Sequence, residues 1–143
     1  MTQGPAGLPL AEAEIESYSG GRVCVWLRPR VLVSQVSGRL TTAVAHRLDV
    51  ATRKLIRPGE RYLSFHDWEQ VDDYDSDARQ LLTEASARNR AYIDKTHILL
   101  RSRVIATALD AARVFLKHLH PYSSRAPFED ELRRALKGTT LRP

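Results

Sequence analysis

Residues 31–41 read Val31-Leu32-Val33-Ser34-Gln35-Val36-Ser37-Gly38-Arg39-Leu40-Thr41, and the chain then continues through Val44, Leu48, Ala51 and Leu55. The first part is a strand pattern. Val31, Val33 and Gln35 fall on one face, while Leu32, Ser34 and Val36 fall on the other. Gly38 is expected to end this strand. From Leu40 the period changes: Leu40, Val44, Leu48, Ala51 and Leu55 recur at the spacing of one helix face, with Arg47, Asp49, Arg53 and Lys54 mostly elsewhere. Pro58-Gly59 stops the helix. A strand that passes directly into an amphipathic helix is the repeating half-unit of an α/β sheet.

Upstream, Arg22 to Leu27 is a second β run, joined to the first by the short Arg28-Pro29 link, so the two read as a hairpin. Downstream, Arg61 to His66 reads as a third strand, and an acidic loop follows it. A helix is expected from about Ser76 to Tyr92, with Ala78, Leu81, Leu82, Ala85 and Asn89 inward. Thr96 to Arg101 is a fourth strand, and Ser102 to Leu119 a third helix closed by Pro121. A short extended piece at Tyr122 and Ser123 leads to a last helix from Pro127 to about Leu136, with Pro127 suited to a first helical position. The expected fold class is α/β, a mixed sheet of four to five strands with helices in the order ββαβαβαα. Residues 1–18, with Gly4, Pro5, Gly7 and Pro9 before Glu12, Glu14 and Glu16, read as a flexible N-terminal tail. The folded domain is expected over 19–138, and a C-terminal tail over 139–143.

A chain of 143 residues suits one domain, and its charged and apolar shares are those of a globular protein. No apolar run reaches the roughly 18 residues of a membrane span. Met1 to Leu10 lacks the basic start and apolar block of a secretory signal, so a cytoplasmic location is expected. Cys24, the single cysteine, sits between Val23 and Val25 and reads as a packing residue. The net charge of +5 permits attraction to nucleic acid. Its candidate carriers are Arg88, Arg90, Lys95, Arg101 and Arg103, with Arg113 and Lys117 further on. No exposed aromatics are interleaved with them and no nucleic-acid-binding signature is visible, so a nucleic-acid partner is the alternative and not the expectation.

Six acids lie between residues 67 and 77, namely Asp67, Glu69, Asp72, Asp73, Asp75 and Asp77, with no Lys or Arg among them. They run from the end of a strand to the start of a helix, where open α/β sheets place binding sites. One reading is a solvated helix start capped by Asp75 or Ser76. The other is a docking surface for a basic partner, with Trp68 either an anchor or, equally, packed over the sheet edge. The spacing lacks the form of a calcium loop. The histidines His46, His66, His97, His118 and His120 are scattered, and none pairs at helical spacing as metal ligands do. His66 and Asp67 are neighbours on a strand and point to opposite faces. No nucleophile motif, phosphate loop or dinucleotide fingerprint is present. No catalytic residue, metal or cofactor is expected, and the chain is not expected to be an enzyme.

The layout resembles the STAS domain, the fold of sulfate-transporter tails and bacterial anti-sigma factor antagonists. Val36-Ser37-Gly38-Arg39-Leu40-Thr41, leading into the helix with Ala43 and Leu48, looks like that family's strand, glycine and leucine before its first helix. Tyr74-Asp75-Ser76-Asp77-Ala78 looks like its Asp-Ser-Ser/Thr-Gly segment. Trp68 with Tyr74 to Arg79 further resembles a looser, largely uncharacterised group of STAS-like bacterial proteins. Asp77 stands where antagonists carry the phosphorylated Ser or Thr, Ala78 replaces the glycine, and Ser76 matches the preceding serine. The resemblance implies a signalling module that binds a regulatory protein partner through Trp68, Tyr74, Asp75, Ser76, Asp77 and Arg79. Ser76 is then the candidate phosphosite, and homodimerisation is a further option. Relatives with apolar pockets add another alternative, a domain that binds a small ligand or lipid.

Overall fold

A computed structural model describes residues 3–114 and 116–140. Among these, six strands form one sheet in the spatial order β1-β2-β3-β4-β5-β6. They are β1 (Glu14–Tyr18), β2 (Gly21–Arg28), β3 (Val31–Leu40), β4 (Tyr62–Tyr74), β5 (Ile93–Leu100) and β6 (Leu119–Tyr122). The first three pair antiparallel, and β3 to β6 pair parallel. Helices α1 (Thr42–Arg53), α2 (Ser76–Arg88) and α3 (Arg103–Arg113) make the three parallel crossovers, and α4 (Arg125–Thr140) follows β6. The mixed α/β class expected from the sequence is the one found.

Strand order decides where the helices go. From β3 to β6 every crossover advances in the same direction, and a right-handed crossover then places each helix on the same face. That face buries Val23, Val25, Leu32, Val36, Ile98 and Leu100 under Val44, Leu48, Ala78 and Ile105. The opposite face carries Trp26, Val33, Phe65 and Leu99, and no crossover is left to cover it. It is closed by Phe128 and Leu132 of α4 and by Leu8 from the N-terminal segment. Both faces are therefore dry, which explains the near-continuous apolar run of β2.

Several expected boundaries change for this reason. Residues 3–13 are not a loose tail: they form short 3-10 turns at Pro5–Gly7 and Leu10–Glu12, and Leu8 is buried. The Trp26 indole N–H donates to the Pro9 carbonyl at 2.8 Å. Glu14–Tyr18 is an edge strand on β2, so the sheet has six strands and not four or five. Glu14 and Glu16 engage the buried Arg47 of α1, with Arg47 Nε 3.1 Å from Glu16 Oε1. Gly38 does not end β3, which continues to Leu40 through a register shift. Its φ of 81° is the left-handed region, and a side chain there would run into the Gly20 carbonyl oxygen. The expected third helix ends at Arg113, and Leu119 opens β6 instead. α4 begins at Arg125, before Pro127, and extends to Thr140, into the expected C-terminal tail. Residues 141–143 of that tail lie outside the described residues.

The largest correction concerns residues 67–74. They are not a loop but the second half of β4, paired with β3 as far as Leu40↔Tyr74. Asp67 points to the α4 side and is 1% exposed. Arg125 Nη2 lies 2.8 Å from its Oδ2 and 3.1 Å from Glu69 Oε1, while Arg125 Nη1 reaches Glu129 at 2.8 Å. Gln35 donates a further hydrogen bond to Asp67 at 3.2 Å. Burial works against the Arg125 charge, but the hydrogen bonds to Asp67 and Glu129 outweigh it and raise the pKa above its ordinary value. This cluster fastens the first turn of α4 to the middle of the sheet.

Removing residues 1–13 should therefore unroof Trp26. The shortened chain is expected to lose about 3 kcal/mol of stability in urea unfolding, and its tryptophan emission should shift to the red.

Candidate functional site

Two features adjoin at the carboxyl ends of β3 and β4: a charged corner where β4 turns into α2, and a cavity behind α2. At the corner, Arg39 of β3 pairs with Asp73 and, through Nε at 2.7 Å, with Asp75. A bond from the Tyr74 backbone N–H and the Arg39 charge hold the Asp73 carboxyl below its usual pKa. Asp75 occupies the cap position of α2, but its carboxylate is taken by Arg39 and does not cap the helix. Ser76, Asp77 and Arg79 are exposed on the first turn, and Ala78 between them is buried. Of the six acids in the 67–77 stretch, Asp67 and Glu69 belong to the Arg125 cluster, and Asp73 and Asp75 to Arg39. The exposed remainder is Asp72 and Asp77.

Trp68 is not at the surface. It is 7% exposed, on the face covered by α1 to α3, and its indole N–H has no hydrogen-bond partner. Sequence reasoning placed it in a loop because six acids in eleven residues mask the alternation of a strand. Tyr74 is half-buried, and Trp68, Tyr74 and Arg79 all line the cavity.

The cavity holds about 130 Å³ between the sheet and helices α1 to α3. Its floor is the inward row of β4, Tyr62, Ser64, His66 and Trp68, which follows from the two-residue period of a strand. α2 packs along α1, while α3 lies on β4, β5 and β6, and the space opens between α2 and α3. Arg79 and Thr83, both exposed, mark the mouth. Inside, Ser34 Oγ and His66 Nδ1 are 2.6 Å apart. Ser34 is fully buried and does not line the cavity, so it orients the ring and is out of reach as a nucleophile. Burial, reinforced by the nearby His97, lowers the His66 pKa to about 4. This pair escaped the sequence reading because only the parallel register brings residues 34 and 66 side by side.

On the other face, His97 stacks on Phe65 with centroids 4.4 Å apart and is 2.8 Å from the Tyr122 hydroxyl. Burial, then His120, lowers its pKa to about 4. His66 and Asp67 do point to opposite faces, toward Ser34 and Arg125 respectively. Among the described residues, no group of three or more His, Cys, Asp or Glu is placed to hold a metal ion. Cys24 is buried, and burial raises its thiol pKa. The basic residues do not form one patch. Arg88 pairs with Asp49 at 2.9 Å, Lys95 sits near the start of β5, and Arg101 and Arg103 lie beyond its far end.

No family model matches the chain, and no curated protein does. Among solved structures, it is similar to an uncharacterized protein of the DUF3478 family with a SpoIIAA-like fold from Shewanella loihica PV-4. The TM-score is 0.55 at 12% identity, over 89% of this chain and 91% of that one. The chain thus has the SpoIIAA-like, or STAS-like, fold. Among the described residues no helix is long and apolar enough to cross a membrane.

The buried imidazoles make stability depend on acidity. His66 and His97 stay neutral in the folded chain down to about pH 4, whereas an ordinary histidine takes up a proton near 6.5. Unfolding is accordingly accompanied by proton uptake between those values. Stability is full above pH 6.5 and is lost as the pH falls toward 4. At pH 5 the loss from His66 alone should be about 2 kcal/mol. Urea unfolding at pH 7.5 and 5 measures it, and His66→Leu should reduce the difference.

Proposed function

We propose that the protein is a non-catalytic regulatory module of the cytoplasm that docks a partner protein on the corner between β4 and α2. The observation that supports this reading is the exposed first turn of α2 at the carboxyl ends of parallel strands, on a frame fixed by Arg39. Ser76, Asp77 and Arg79 form the contact edge. Asp75 and Tyr74 support it, and Trp68 stiffens the corner from beneath. Alternating charges at Asp77 and Arg79 select a partner by complementarity and speed its approach. Phosphorylation of Ser76 would add a charge of about −1.5 to −2 beside Asp75 and Asp77. The like charges repel, so the modification releases the partner. The nucleic-acid alternative loses support, because its basic residues are divided between the two ends of β5 and Arg88 is held by Asp49.

Affinity capture from native extract, comparing wild type with an Asp77→Lys, Arg79→Glu double variant, tests the edge. Both side chains are exposed, so the fold should survive. A protein held by wild type and retained at least tenfold less by the variant is the expected result. Equal recovery by both removes the corner as the docking site. Ser76→Asp should weaken the same capture, and an unchanged yield disposes of the phosphorylation switch.

A further inference from the structure

The cavity behind α2 has the properties of a ligand site; it adjoins the docking edge and shares Arg79 with it at the mouth. At about 130 Å³ it approaches the roughly 150 Å³ of an engineered apolar cavity that takes up benzene. Leu48, Leu82, Ile98, Ile105 and Leu109 supply much of its wall. Trp68 is one of the lining residues, its side chain is more than nine-tenths buried, and its indole N–H has no hydrogen-bond partner. A buried donor left without a partner costs about 1–3 kcal/mol, and such groups are rare in native proteins. Beside it, with ring centroids 5.5 Å apart, is His66. Ser34 occupies its Nδ1, leaving Nε2 as its remaining hydrogen-bonding atom.

The charges in the wall define what the site excludes. Asp49 is paired with both Arg53 and Arg88, and Arg79 lies at the exposed mouth. The interior therefore offers no free ion to meet a buried carboxylate or ammonium, whose desolvation costs several kcal/mol. We propose that the cavity binds a small uncharged molecule with a compact apolar body and a carbonyl oxygen, the oxygen accepting the Trp68 indole N–H. Ketones and esters fit this description, and carboxylates do not. The apolar body occupies the space between Leu82 of α2 and Leu109 of α3, and entry is past Arg79 and Thr83.

The chain contains two tryptophans, so its nitrogen-15 spectrum has two indole resonances, assigned by Trp68→Phe. The Trp26 indole is already bonded to Pro9 on the opposite face and serves as an internal control. Acetophenone, toluene and benzoate are the probes, titrated into the full chain. Acetophenone should move the Trp68 indole proton saturably downfield and leave Trp26 in place. Toluene, lacking the acceptor, should bind about fivefold or more weakly, and benzoate should give no saturable shift. Ala108→Phe, which fills the cavity, should abolish the response with the Trp26 resonance unchanged. Ser86→Leu gives a milder filling should that variant fail to fold. No saturable shift with any probe, equal binding of benzoate and acetophenone, or displacement of both indoles together would overturn the proposal. Asp77→Lys lies outside the cavity and should keep the acetophenone response, so failure of docking and failure of ligand binding remain distinct.

Discussion

The architecture rests on a handedness constraint. Four parallel strands laid down in sequence order send every crossover helix to one side of the sheet. A doubly wound sheet reverses direction part way and so covers both of its faces. This one does not reverse, and its second face has to be covered by something else. The burden falls on α4 and on the segment before β1, which is why Trp26, Phe65, Leu8 and Phe128 share one cluster. The same asymmetry leaves α1, α2 and α3 crowded onto the other face. α2 leans on α1 and α3 on the later strands, and the space between α2 and α3 becomes the cavity.

A second consequence follows at β4. Its outer half carries Asp67 and Glu69 toward a face that is otherwise apolar, and a buried carboxylate needs a partner. Arg125 supplies it from the first turn of α4, where Asp67 and Glu69 also complement the positive end of the helix dipole. Arg39 does the corresponding work at the end of the same strand with Asp73 and Asp75. The acidity of this stretch is therefore mostly internal bookkeeping of the fold. The surface it leaves for a partner is small and mixed in charge.

Much of this was legible in the sequence. The switch from strand to helix period between Val36 and Leu40, the hairpin around Arg28-Pro29 and the alternation of strands and helices gave the α/β class, and the STAS likeness agrees with the solved SpoIIAA-like structure. What stayed hidden depends on contacts distant in sequence. Glu14–Tyr18 is a strand because β2 offers it an edge and Arg47 neutralises its acids. Residues 67–74 read as a loop because their composition is that of solvated chain, and only Arg125 and Arg39 make a strand of them. Leu119 continues the helical spacing of Ile105 and Leu109 and is nonetheless taken by β6, which needs it opposite Thr96. For the site, Tyr74 to Arg79 was visible as a corner. The burial of Trp68 and the pairing of Ser34 with His66 depended on register.

The closure of the second face also bears on how the chain is made. Residues 3–13 and α4 touch each other as well as the sheet. A polypeptide emerging from the ribosome in order presents the first of these before the sheet and the second after all six strands. Until α4 is released, Trp26, Val33 and Phe65 have only part of their cover, and the growing sheet exposes a greasy side. Such a topology ties completion of folding to the release of α4, and the nascent chain is a natural client for holding chaperones until then.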